Sequence, residues 1–352
     1  MHQARASHVL SFATSAGSGP SVTRMNVEDI SFRGCAKATA PLGVGTWAWG
    51  DKSTWGMGGY DSDLDETTIR EAWDASLDAG ITLFDTAEVY GGGESERIIG
   101  RLLAAEPDRR ASLVIATKFM PLPHKLDVKG ALRAALLASI DRLGIEKVDL
   151  YQIHGPTSLR GKKVLADALA DAHAEGLVDA VGVSNYSVRE MQSIHGHLQR
   201  SGVALASNQI EYSLLRQGPE TSGLIAACHR LGVVPLAYSP IGQGRLTGKY
   251  SAASPPPSGR TFSAHPMEQV DVVVAELRRI GDAHDGRTPS QVALRWLIQK
   301  GAVPIPGAKN RAQAEQNAGA LGWALADEDM AALDRVALEG TRSLRNRFWQ
   351  HG

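Results

Sequence analysis

The sequence predicts an α/β protein, a single (β/α)8 TIM barrel with its active site at the C-terminal ends of the strands, and three observations carry that expectation. Short β-rich runs alternate with amphipathic helical runs from about residue 41 onward, eight times at a period of roughly 30 residues. Several of the runs, such as ITLF, LVIA, VDLYQI and AVGV, show little polar alternation, as strands covered on both faces do. No linker divides the chain, so residues 27–352 are expected to form one barrel domain.

In chain order the expected strands are 42–45, 81–84, 113–116, 148–153, 180–183, 205–207, 233–237 and 302–305. Asp65 or Thr67 can cap a helix carrying Ile69, Trp73 and Leu77 before Gly80 stops it. Further helices are expected over 128–143, 163–175, 187–199, 220–231 and 289–300, with Gly144, Gly176, Gly232 and Gly301 near their ends. The period is broken once, between Pro240 and Thr288, by an insertion with SPPPSG and a further helix around 270–280. Insertions after barrel strands shape the mouth of the site.

Composition narrows the function. Lys+Arg 37 against Asp+Glu 38 leaves a net charge of −1, no electrostatic footprint for nucleic acid or acidic lipid. No run approaches the roughly 18 apolar residues of a membrane-spanning helix. The two cysteines, Cys35 and Cys228, lie far apart, which excludes a disulfide framework and a cysteine-rich zinc site. Residues 1–26 stand apart: Arg5 and Arg24, five serines, and no acid before Glu28. That composition fits an organelle transit peptide, which would place the protein in a chloroplast, and equally a disordered tail or an extension upstream of Met25.

Chemistry in a barrel lives where its strands end. The residues following the apolar runs are Asp85, Lys118, His154, Ser184 with Asn185, Asn208 with Gln209, and Tyr238; Tyr90 stands in the loop after Asp85. An acid, a phenol, an ammonium and an imidazole therefore share one ring of positions. His154 and Asp85 are also common metal ligands, but no HxH, HExxH or third strand-end histidine accompanies them, and no metal is expected. Gly43-Val-Gly45-Thr-Trp-Ala48 matches a relaxed dinucleotide fingerprint, yet it opens a Gly/Trp-rich loop rather than a helix. GRLTGKY lacks the glycine spacing and following hydroxyl of a Walker loop.

FDTAEVYG (84–91), ATKF (116–119), DLYQIHGP (149–156), GVSNYS (182–187), NQIEYSLL (208–215), AYSPIGQGRLTGKY (237–250) and PIPGAKN (304–310) resemble, in order, the successive motifs of the aldo-keto reductases. In style the chain is most similar to plant and algal chloroplast members, and more loosely to pyridoxal reductases and channel β-subunits. The resemblance implies NADPH-dependent reduction of small-molecule carbonyls, with Tyr90, Asp85, Lys118 and His154 as the catalytic four. Tyr90 would be the proton donor, Lys118 would lower its pKa, Asp85 would hold Lys118, and His154 would orient the carbonyl oxygen. For NADPH/NADP+ it implies that Ser184, Asn185 and Gln209 bind the carboxamide and that Tyr238 stacks on the ring. Ser239, Gly244 and Leu246 would fold over the pyrophosphate, and Lys309, Gln313, Gln316 and Asn317 would meet the adenosine and its 2′-phosphate. Many members carry Arg where Gln313 stands and Glu where Gln316 stands, which weakens the preference for NADPH. Trp47, Trp55 and Phe119, with the tail residues Phe348 and Trp349, would give an apolar pocket for flat carbonyl compounds. The resemblance also leaves open a slow-turnover, NADPH-binding regulatory or redox-sensing subunit of the channel β-subunit kind.

Overall fold

The computed structural model describes residues 29–50, 64–257, 262–341 and 348–352. An antiparallel hairpin, β1 (Ile30–Ser31) and β2 (Ala38–Thr39), comes first. The barrel follows as β3 (Gly43–Gly45), β4 (Leu83–Asp85), β5 (Val114–Phe119), β6 (Val148–Ile153), β7 (Val178–Ser184), β8 (Leu205–Glu211), β9 (Val234–Tyr238) and β10 (Val303–Pro304). These eight strands are neighbours in sequence order and all parallel. The circle closes where Gly45 bridges Gly307 and the Gly45 N–H donates to the Pro306 carbonyl at 3.0 Å.

Every expected strand is present, most of them longer at the C-terminal end than the apolar run alone suggested. Asp65 caps helix Glu66–Asp78, accepting from the Thr68 N–H while the Thr68 hydroxyl accepts from its own. Ser187 and Thr288 close equivalent boxes on helices Val188–Arg200 and Pro289–Gln299. The helix expected over 220–231 is instead two, Gly218–Thr221 and Leu224–Leu231. Gly223, at φ 76°, supplies the left-handed break between them. The hairpin was not expected, because two-residue strands leave no periodicity to read. The helix of the insertion is Met267–Ala283.

Apolar residues form two bodies. One lies between strands and helices and includes Trp73, Phe84, Tyr151, Leu169 and Trp296. The other fills the foot of the barrel with Leu83, Val114, Leu150, Ala180, Leu236 and Val303, and Phe32 and Cys35 of the hairpin close it from below. Above that apolar foot the interior turns polar: Asp85, Lys118, Gln152, Ser207 and Gln209 are all buried. A polar layer is tolerated in such a place only where its groups satisfy one another. The N-terminal segment 1–26 lies outside the described residues.

Candidate active site

Alternation along the strands decides which side chains enter the barrel. On β6 Leu150 faces inward at the foot, Gln152 two residues higher, and His154 just past the strand end. On β5 Lys118 lies opposite Gln152 in register, and β4 ends at Asp85. Lys118 Nζ donates to Asp85 Oδ2 at 2.5 Å, to the Thr86 carbonyl at 2.8 Å and to the Tyr90 hydroxyl oxygen at 3.3 Å. Tyr90 is turned over the strand ends by a tight 3-10 turn, Tyr90–Gly93, in which Gly91 has φ 58°. A Cβ at Gly91 would lie 2.1 Å from the Gly50 carbonyl oxygen, so only glycine lets this loop seat against the first strand's loop. The Tyr90 ring meets His154 edge-on, centroids 5.7 Å apart. The four side chains expected to act together are thus brought together.

Their electrostatics depart from expectation in one respect. Burial, with the Asp85 charge second, holds the Tyr90 phenol well above its ordinary range rather than below it. Lys118 stands closer to the carboxylate than to the phenol, at 2.5 Å against 3.3 Å, so its positive charge is largely matched by Asp85. Burial also lowers Lys118, against the pull of Asp85. His154 is held well below the ordinary imidazole range by burial and by the Lys118 charge. Its Nδ1 is buried with no hydrogen-bond partner. A neutral phenol beside a neutral imidazole is a donor pair for an incoming oxygen.

Around this group stand the residues expected to hold a cofactor. Asn185 occupies the left-handed region at φ 63°, its N–H donating to the Gln209 carbonyl at 2.7 Å and its Oδ1 accepting from the Tyr238 hydroxyl at 2.8 Å. The Ser184 hydroxyl donates to that same Gln209 carbonyl. The amide nitrogen of Gln209 donates to Asp85 Oδ1 at 2.8 Å, leaving its oxygen as the group available to a ligand. Ser239 (φ 50°) and Gly244 (φ 90°) bend the chain after β9, while the Leu246 side chain is buried in the core and can offer only backbone. At the far side Asn310 caps helix Arg311–Ala318. Gln313 returns its side chain to the Lys309 N–H, Gln316 donates to the Thr288 hydroxyl and Asn317 to the Gly307 carbonyl. Gln313 and Asn317 thus shape the loop around Lys309, while Gln316 ties its helix to the start of helix Pro289–Gln299.

The aromatic wall differs in membership from the expected one. Trp47 lies 6.4 Å from the Tyr90 ring and 6.4 Å from Phe262, which in turn meets Tyr238 at 5.7 Å. Trp349 packs against His154 at 5.2 Å and against Gly155, where a Cβ would lie 2.8 Å from the indole. Phe119, expected in the pocket, is instead fully buried in the core under Lys125, because it follows Lys118 and so faces the opposite side of β5. Trp55 lies outside the described residues. Phe262 and Gln152 escaped sequence reasoning; a polar residue at an inward position within VDLYQI was the available signal for the second.

With this geometry in view, residues 41–338 match the family model described as Aldo/keto reductase family. The chain belongs to the aldo/keto reductase family. It is 37% identical over 324 residues to the chloroplastic pyridoxal reductase of Arabidopsis thaliana, covering 89% of this chain and 87% of that one. It is 34% identical over 258 residues to the 6-dehydroglucose reductase of Novosphingobium aromaticivorans, covering 70% and 78%. Among solved structures, the glycerol dehydrogenase of Gluconobacter oxydans superposes with a TM-score of 0.76 at 29% identity, over 91% of this chain and 99% of that one. An aldo-keto reductase from Klebsiella pneumoniae in complex with NADPH gives a TM-score of 0.68 at 26% identity, with the same coverage. Membership makes the protein an oxidoreductase acting on carbonyl groups. At its strand ends this chain has Asp85, Lys118 and His154 beneath an aromatic wall.

Proposed function

We propose that this protein reduces aldehydes and ketones to alcohols with NADPH, Tyr90 giving the proton while Lys118, Asp85 and His154 position it. The observation that carries this reading is the Lys118 ammonium, hydrogen-bonded at once to the Asp85 carboxylate and the Tyr90 phenol, beside an imidazole with an unpartnered nitrogen. The donor chemistry suits a nicotinamide: a hydroxyl from Ser184, an amide from Asn185 and a free amide oxygen from Gln209 complement a primary carboxamide. Lys309, ahead of the capped helix start at Asn310, suits the 2′-phosphate. When bound, the cofactor supplies the hydride.

The protein's own residues handle the other half. His154, neutral by virtue of its burial, donates a hydrogen bond to the carbonyl oxygen and fixes it over Tyr90. Tyr90, kept protonated by the same burial, hands its proton to that oxygen as negative charge gathers there. Lys118 then stabilises the phenolate left behind, and Asp85 keeps Lys118 charged. Trp47, Phe262 and Trp349 exclude water around the reacting oxygen.

The substrate class we infer is a carbonyl on a flat or apolar body, such as pyridoxal or an aromatic aldehyde. The aromatic wall and the similarity to a pyridoxal reductase support it. We further assign residues 1–26 an organelle-targeting role, supported by their composition and by the chloroplastic relative. NADPH oxidation against a panel of pyridoxal, 4-nitrobenzaldehyde, methylglyoxal and quinones tests the activity, and Tyr90→Phe tests its mechanism. The variant should bind NADPH normally, by fluorescence quenching, and lose turnover about 10²–10⁴-fold. Full activity in the variant overturns the assignment. Turnover below about one per minute on every carbonyl tried would favour the regulatory-subunit reading instead.

A further inference from the structure

Asp85 has two faces. Its Oδ2 accepts from Lys118, and its Oδ1 accepts from two amides, Gln209 Nε2 at 2.8 Å and Gln152 Nε2 at 3.2 Å. Gln152 is itself held from behind, its Oε1 accepting from the Ser207 hydroxyl at 3.3 Å. Lys118, Gln152, Gly182 and Ser207 sit side by side on consecutive strands, one layer around the barrel. Gly182 makes the layer possible: a Cβ there would lie 2.2 Å from Ser207 Oγ and 3.0 Å from Gln152 Cγ. Gln152 and Ser207 are both fully buried directly above the apolar foot, where an aliphatic pair would fill the same space without desolvating polar groups.

We propose that Gln152, backed by Ser207 through the space that Gly182 leaves, is a positioning residue for carbonyl reduction, holding the Oδ1 face of Asp85 so that Oδ2 stays on Lys118 and Lys118 stays within reach of Tyr90. The inference rests on the reading of Tyr90, Lys118 and Asp85 given above. Gln209 is one of the residues expected to hold the cofactor, and its amide can be drawn toward a ligand; Gln152 lies deeper and serves the carboxylate alone. Two amide donors spread the charge of a carboxylate and weaken its grip on a neighbouring proton. With one donor removed, Asp85 draws harder on the Lys118 proton, the ammonium supports the phenol less, and deprotonation of Tyr90 moves to higher pH. The other titratable groups acting on this trio are His154 from the end of β6, Tyr238 from β9 and Glu96 from helix Glu94–Ala105. Glu96 is already committed to Arg142 and Thr117.

The test is the pH profile of alcohol oxidation by NADP+, the direction that needs the deprotonated phenol, in Gln152→Met and Gln152→Glu. In the Met variant the alkaline limb should move up by about one pH unit, so that the rate below the limb falls about tenfold, while NADPH affinity stays within about twofold. The Glu variant is isosteric and donates to Asp85 only when its own carboxyl is protonated. Its reduction rate relative to wild type should therefore recover as pH falls. An unmoved limb in the Met variant, turnover lost in step with NADPH binding, or a pH-independent ratio in the Glu variant overturns the proposal; the last stands even if the Met variant fails to fold. Tyr90→Phe separates this from the underlying reading: an inactive Tyr90→Phe with an unmoved Gln152→Met profile removes only the role of Gln152.

Discussion

Two buried aspartates, Asp149 at the foot of β6 and Asp85 at the top of β4, are held in different ways by similar parts. Asp149 is enclosed by Lys37 at 2.6 Å, Arg110 at 2.9 Å and the Ile115 N–H at 2.8 Å. Its two cations are about a fifth exposed and tie the hairpin and the segment before β5 to the barrel. Asp85 has one cation, fully buried, and two neutral amides. The difference lies in what the cation can still reach. Lys37 also donates to the Arg110 and Leu113 carbonyls, so its capacity ends in structure. Lys118 keeps one direction for a phenol that opens on the pocket. An ion pair becomes chemistry when one partner retains a bond to offer.

That comparison can be broken most forcefully at Lys118. Lys118→Met should cut carbonyl reduction about 10²–10⁴-fold while NADPH still quenches fluorescence; retained turnover would make the pair at the top as structural as the one at the foot. The mirror experiment is Asp149→Asn, for which we expect a loss of about 3 kcal/mol of stability in urea, the low end for a broken buried pair because Lys37 and Arg110 can reach water. Its kcat/KM below the unfolding range should be that of the wild type. Trp349→Ala, which strips the wall from His154, should raise KM for aromatic aldehydes about threefold to tenfold and leave small aliphatic aldehydes nearly unaffected. The smallest effect is on pH. On the proposed mechanism reduction needs Tyr90 protonated, Lys118 charged and His154 neutral. Its rate is lost as pH rises through the lowered ammonium value and then the raised phenol value, or falls through the lowered imidazole value. The kcat profile should therefore stay flat from about pH 6.5 to 9. An alkaline loss near pH 8 would show either Lys118 acting on the phenol more strongly than burial does or the Lys118 ammonium losing its own proton, and Lys118→Arg, which stays charged, separates the two.

How much of this the sequence reveals depends on the range of the interaction. The strand ends are local, so Asp85, Lys118, His154, Asn185 and Tyr238 can be placed from the runs that precede them. Parity is local too, and applying it to β5 would have turned Phe119 away from the pocket once Lys118 was turned inward. The direction of the Tyr90 shift was not legible, because it depends on how closely Asp85 and Lys118 approach and on how much water the loops exclude. Trp349 reaches the wall from the tail, as expected from the resemblance, whereas Phe262 comes from an insertion far from it in the chain, and no periodicity encodes such a meeting. Gln152 stood inside a run read as apolar, where its polarity was itself the clue.

The hairpin that lodges Phe32 beneath Leu83, Leu150 and Val303 turns the barrel into a blind alley. Among the described residues that foot is filled by apolar side chains, so on the proposed reading a carbonyl compound would enter and leave by the opposite end and present its reacting end to Tyr90 foremost.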